Sequence, residues 1–139
     1  MYFVSACLLG INCKYNGKNN KSEKILDFLK DKKFVPICPE QLGGLSTPRE
    51  PVEIMGKKVK DKDGNDFTSE FSKGAKETLK VISLYKNIEG IILKEGSPSC
   101  GITKIADGTF SKKKIKGSGV TAKLLRKNGY NLISEFDIE

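Results

Sequence analysis

The chain has 139 residues, 37% of them hydrophobic, with 25 lysines and arginines against 17 acids, no histidine and a net charge of +8. That length suits one domain with its own core, spanning residues 1–139, and removes the need for disulfide staples. No apolar run approaches the ~18 residues of a membrane-spanning helix, and the commonest general base and zinc ligand, histidine, is missing.

The first stretch, Met1-Tyr2-Phe3-Val4-Ser5-Ala6-Cys7, reads as a strand ending on a thiol, without the charged start of a signal peptide. A cytoplasmic location is expected, where thiols stay reduced and four cysteines read as metal ligands or reactive groups. A loop with an Asn16-Gly17 turn leads to Ser22, an N-cap for a short helix in which Ile25, Phe28 and Leu29 share one face. Phe34–Cys38 gives a second strand that also ends on a thiol. Residues 39–54 carry three prolines and the pair Gly43-Gly44, a pattern that excludes regular helix and central strand and predicts a long functional loop.

Lys57–Asp66 reads as an exposed turn flanked by short strand pieces, with Asp63-Gly64 at its tip. Thr68 or Ser69 is placed as the cap of a helix whose core face is Phe71, Ala75, Leu79 and Ile82. Gly90-Ile91-Ile92-Leu93 is a third, fully buried strand, and the turn Ser97-Pro98-Ser99 brings the chain to Cys100. After a glycine- and lysine-rich excursion over 102–119, a helix stops at Gly129 and Tyr130–Ser134 closes as a fourth strand. Strands alternating with helices predict a single-domain, Rossmann-like three-layer α/β fold, with a mostly parallel sheet and helices on both faces.

In such a sheet, ligands bind beyond the carboxyl ends of the strands. Cys7, Cys38 and Cys100 each follow a strand, so residues far apart in the chain can meet along one edge. No Cys-x-x-Cys pair is present, which argues against zinc ribbons and thioredoxin-like motifs. Three soft thiolates at one point suit an iron–sulfur cluster or zinc. The bland alternative is three small hydrophobes at strand ends.

The chain resembles the thiouracil desulfidase family through several motifs. They are Val4-Ser5-Ala6-Cys7-Leu8-Leu9-Gly10 with Cys13-Lys14-Tyr15-Asn16-Gly17, Cys38-Pro39-Glu40 with Gly43-Gly44-Leu45 and Pro48-Arg49, and Ser97-Pro98-Ser99-Cys100-Gly101. Phe71-Ser72-Lys73-Gly74-Ala75, Asp107-Gly108-Thr109-Phe110 and Gly119-Val120-Thr121-Ala122-Lys123-Leu124-Leu125 extend the likeness over nearly the whole chain, in a stand-alone form. The resemblance implies a [4Fe–4S] enzyme that removes sulfur from thiolated pyrimidines, thiouracil or 4-thiouridine monophosphate, without net redox chemistry. It places the cluster on Cys7, Cys38 and Cys100, and the acid–base pair on Glu40 and Ser97. Arg49 and Ser99 are the expected substrate contacts, with Lys14 and Lys94 as weaker candidates.

Cys13 is either a fourth ligand or a bystander, and the bystander reading is preferred. Arg49 has an alternative role as a loop-fastening ion pair with Glu50 or Glu53. Two other functions remain in view. One is a metal-stabilised basic module that binds RNA without catalysis. The other is a thiol oxidoreductase. The Lys112-Lys113-Lys114 run lacks interleaved aromatics for base stacking, so nucleic acid is not the favoured partner, and no membrane partner is expected.

Overall fold

The structure is a computed structural model that describes residues 1–138. In chain order its elements are β1 (Tyr2–Ser5), α1 (Glu23–Leu29), β2 (Phe34–Ile37), α2 (Pro39–Leu42), β3 (Glu53–Met55), β4 (Lys58–Lys60), α3 (Thr68–Ser83), β5 (Gly90–Leu93), β6 (Lys104–Ala106), β7 (Lys114–Lys116), α4 (Val120–Lys127) and β8 (Leu132–Ser134). The central sheet has the order β2-β1-β5-β8, with every neighbouring pair parallel. β3–β4 and β6–β7 are separate antiparallel hairpins.

Side chains on a strand alternate between the two faces of the sheet, and both faces here are covered. Phe3, Ile91 and Leu93 point to one face and pack with Ile82 of α3 and with Ala122 and Leu125 of α4. Val4 and Ile92 point to the other and meet Ile25 and Leu29 of α1. These strand residues are all 0% exposed, and each contributes about 1.5–3 kcal/mol relative to an exposed position. The three-layer architecture expected from the alternation of strands and helices is therefore present.

The element boundaries tighten. β1 stops at Ser5, and Cys7 lies in a 3-10 turn over Ala6–Leu9. Ser22 caps α1 as expected, its hydroxyl accepting the Ile25 N–H at 3.3 Å. The expectation that prolines and glycines exclude helix from residues 39–54 is corrected by α2, a single helical turn. Pro39 is tolerated there because it sits in the first turn, where its missing N–H has no intrahelical partner. The cap of α3 is corrected too. Phe67 occupies the N-cap position without a side-chain bond, and Asp66 accepts the Thr68 N–H at 2.8 Å. The Thr68 hydroxyl is used elsewhere, accepting the Val59 N–H at 2.9 Å and so tying β4 to α3.

α2 lies close against α3. A Cβ added at Gly74 would overlap the Pro39 carbonyl oxygen, so only glycine lets these backbones approach. Gly74→Ala should therefore lower the unfolding free energy by about 1–3 kcal/mol through overpacking. Lys76→Ala, on an exposed position of the same helix, should stay within about 0.5 kcal/mol. Denaturant titration of both variants checks this pair of outcomes.

Candidate functional site

Order 2-1-5-8 places a reversal of direction beside β1, the position where open α/β sheets bind ligands. A pocket of about 540 Å³ opens there, lined by all four cysteines together with Glu40, Arg49, Ser97 and Ser99. Each group is delivered by the segment that follows a strand. Cys7 comes from the 3-10 turn after β1. Cys38 is the N-cap of α2, and Glu40 lies in that helix's first turn. Cys100 ends the turn beyond β5.

That last turn is built by its own first side chain. Ser97 Oγ accepts the N–H of Ser99 at 3.1 Å and of Cys100 at 3.0 Å. The carbonyls of Pro98 and Ser99 then accept the N–H groups of Val120 at 2.9 Å, Thr121 at 3.0 Å and Ala122 at 3.1 Å. These are the first amides of α4, which have no partner inside the helix. The start of α4 and the cysteine turn thus satisfy one another. Gly119 permits the contact, since a Cβ there would overlap the Ser99 carbonyl group.

Glu40 is partly buried, its side chain 15% exposed, and both of its oxygens are engaged. Oε1 receives Arg49 Nε at 3.0 Å and Oε2 receives the Ser99 hydroxyl at 2.8 Å. Arg49 spends its remaining donors on the surrounding loops. Nη1 donates to the Ser46 carbonyl at 3.2 Å and to Thr47 Oγ1 at 2.9 Å, and Nη2 to the Cys13 carbonyl at 2.9 Å. Its backbone N–H donates to the Tyr15 carbonyl at 2.7 Å. The Thr47–Pro48 peptide in this loop is cis. The guanidinium thus fastens the loop, with Glu40 as its ion-pair partner in place of Glu50 or Glu53. Lys94 pairs with Glu135 at 2.9 Å, and Lys14 stands over the Tyr15 ring at 5.8 Å.

The thiols have distinct environments. Burial pushes the Cys7 thiol up, and the Cys100 thiol up to about 12. Cys38 is lowered, chiefly by the neighbouring Cys13 thiol, and Cys13 is raised by the same neighbour; the Cys38 thiol itself donates to the Cys13 carbonyl at 4.0 Å. Among the described residues, no three cysteine or acidic side chains stand close enough to share one metal ion. A polynuclear cluster differs, because its ligands attach to separate irons and stand further apart.

The hairpin β6–β7 forms an outer wall that sequence patterns did not reveal. Phe110, Lys112 and Lys114 line the pocket from there. Glu53 holds the hairpin by accepting the N–H groups of Gly108 at 2.9 Å and Phe110 at 3.1 Å. Asp107-Gly108-Thr109-Phe110 was visible as a motif, but nothing local linked it to Glu53.

The fold and this thiol-lined edge define a three-layer α/β protein with a soft-ligand pocket. The model of the 2-thiouracil desulfurase family matches residues 2–137, and the chain belongs to that family. It is 49% identical to the Bacillus subtilis (strain 168) protein YbbK, described as uncharacterized, across 99% of this chain and 97% of that one. Its structure is similar to that of the [4Fe-4S]-dependent thiouracil desulfidase TudS, with a TM-score of 0.91 and 40% identity, covering 99% of this chain and 91% of that one.

A lower pKa means more thiolate at a given pH, and thiolate is the nucleophile. In cluster-free protein, Cys38 should therefore be the first cysteine alkylated by iodoacetamide as pH rises, ahead of Cys7, Cys13 and Cys100. Peptide mapping after timed alkylation measures the order. Cys13→Ala should reduce this advantage by removing the neighbouring thiol that lowers Cys38.

Proposed function

We propose that this protein is a [4Fe–4S]-dependent desulfidase that hydrolyses the carbon–sulfur bond of a thiolated pyrimidine, giving the oxo form and hydrogen sulfide. The observation that carries this reading is the meeting of Cys7, Cys38 and Cys100 in one pocket with Glu40 and Ser97. Membership of the 2-thiouracil desulfurase family supports the substrate class, and the likeness to TudS supports the cofactor.

The donor set fits a cluster: three soft thiols on three separately anchored segments, no imidazole, and a pocket large enough for cofactor and substrate together. Cys7, Cys38 and Cys100 would hold it. Bound through three cysteines, a [4Fe–4S] cluster supplies an iron without a protein ligand, a soft Lewis acid suited to a thiocarbonyl sulfur. Cys13 is left outside the ligand set, as a buried neighbour whose carbonyl accepts from the Cys38 thiol.

The protein's own groups manage water and protons. Glu40 is the base, with no histidine to compete for that role. Arg49 holds the Glu40 carboxylate in one orientation and keeps its buried charge paired. Ser97, anchored by two backbone amides, lines the pocket beside the substrate. The apolar side chains of Ile37, Pro39 and Phe110 in the pocket wall limit bulk water.

Anaerobic reconstitution followed by iron and acid-labile sulfide analysis tests the ligand set. Cys7→Ala, Cys38→Ala and Cys100→Ala should each lose the cluster, and Cys13→Ala should keep it. The loaded wild type should release sulfide from 2-thiouracil, 4-thiouracil or 4-thiouridine monophosphate. Glu40→Gln should retain iron while its kcat falls by about 10²–10⁴-fold, the range of a lost general base. A wild type that binds no iron, or loss of the cluster in the Cys13 variant, overturns the arrangement.

A further inference from the structure

Glu40 and Ser97 do not touch in the structure's hydrogen-bond network; a third side chain joins them. Ser99 Oγ lies 2.8 Å from Glu40 Oε2 and 2.9 Å from Ser97 Oγ. Ser99 is 3% exposed, so this link in the pocket wall is nearly closed to solvent. A hydroxyl has one proton to donate, and an ionised carboxylate can only accept. Ser99 must therefore give its proton to Glu40, and its oxygen must accept from Ser97. Cys100 Sγ, at 3.7 Å from the Ser99 hydroxyl, is the weaker competitor for the same proton. The carboxylate fixes the polarity of the whole row, from Ser97 through Ser99 to Glu40.

We infer that Ser99 is a positioning residue that relays protons between Ser97 and Glu40, so that Glu40 acts as a base through two hydroxyls. The inference rests on the desulfidase reading. Ser99 gives its proton to Glu40 Oε2 and Ser97 gives its own to Ser99, which frees a third lone pair on Ser97 Oγ beside the two held by its amides. As the water oxygen bonds to the ring carbon, the carbon–sulfur π pair moves to sulfur, one water O–H bond breaks and its proton passes to that lone pair. Both serines end as hydroxyls and Glu40 ends neutral. The ring carbon–sulfur bond then breaks with its electron pair on sulfur, and the stored proton returns along the same row to the leaving sulfur. The remaining water proton leaves as the carbonyl forms and also goes to sulfur, which departs as hydrogen sulfide.

Two features of the fold suit this role. The amides of Ser99 and Cys100, at 3.1 and 3.0 Å, stabilise Ser97 Oγ while negative charge builds on it. The Ser99 carbonyl is clamped by the N–H groups of Thr121 and Ala122, which fixes the backbone that carries its hydroxyl. Arg49 occupies Glu40 Oε1, leaving Oε2 as the oxygen that receives the proton.

The test uses reconstituted holoenzyme with 2-thiouracil, 4-thiouracil and 4-thiouridine monophosphate. Ser99→Ala should keep the iron content and visible spectrum of the wild type, with kcat reduced about tenfold or more and KM changed by less than about twofold. Ser99→Thr, which retains the hydroxyl, should recover most of the rate. Wild-type rates in mixtures of light and heavy water should give a bowed proton inventory, as several protons move together. The inventory of Ser99→Ala should become straight. A straight wild-type inventory, or an iron-loaded Ser99→Ala with kcat within about twofold of wild type, overturns the relay and leaves the desulfidase reading standing. If Ser99→Ala sheds its iron, the wild-type inventory decides. A loaded wild type inactive on all three compounds removes the desulfidase reading, and the relay with it.

Discussion

The carboxylate of Glu40 ties its own helix and the loop that follows it to a turn about sixty residues further along the chain. One oxygen is held by Arg49 from the loop after α2, and the other by Ser99 from the turn after β5. Through Arg49 the same network reaches the Cys13 carbonyl, and through Ser99 it reaches Cys100 and α4. A buried charge without partners costs several kcal/mol, so these segments are constrained to stay where Glu40 needs them. Of the cysteine-bearing segments, those of Cys13, Cys38 and Cys100 are tied to that one carboxylate.

The rest of the scaffold limits how far those loops can move. The free amides at the start of α4 are satisfied by the carbonyls of the cysteine turn, so a helix end and a pocket loop complete each other. Glycine at 74 and 119 allows backbones to approach where any side chain would intrude. Glu95, 7% exposed, gathers the amides of Ile102, Thr103 and Lys104 and so sets the path of the chain after Cys100. Buried polar groups with partners on several sides give a site little freedom to adapt. Such rigidity suits chemistry in which water, carboxylate and sulfur must be held in line.

Charge is divided between structural and accessible roles. Arg49 and Lys94, both near the thiols, are committed to Glu40 and Glu135. Lys112 and Lys114 on the β6–β7 hairpin line the mouth of the pocket and are exposed. The net charge of +8 is thus expressed near the site mainly at its outer rim, where charges are hydrated and costs of burial do not arise.

Much of the fold was legible in the chain because its signals are local. The run Gly90–Leu93 announced a strand covered on both faces, and Ser22 announced the start of α1 through a hydroxyl that meets an amide three residues on. The three thiols after strands could be read as a converging set because parallel topology brings carboxyl ends together. What the sequence by itself determined was the set of elements, their faces, and the soft-ligand chemistry of the edge. Only the tertiary structure decided that Glu40, rather than Glu50 or Glu53, is the partner of Arg49. It also placed Ser99 between the proposed base and Ser97, and put a one-turn helix at Pro39. The reason is physical. Strand and helix signals come from neighbours along the chain, whereas the partner of a charge or hydroxyl is chosen by three-dimensional proximity and by the cost of leaving it unpaired.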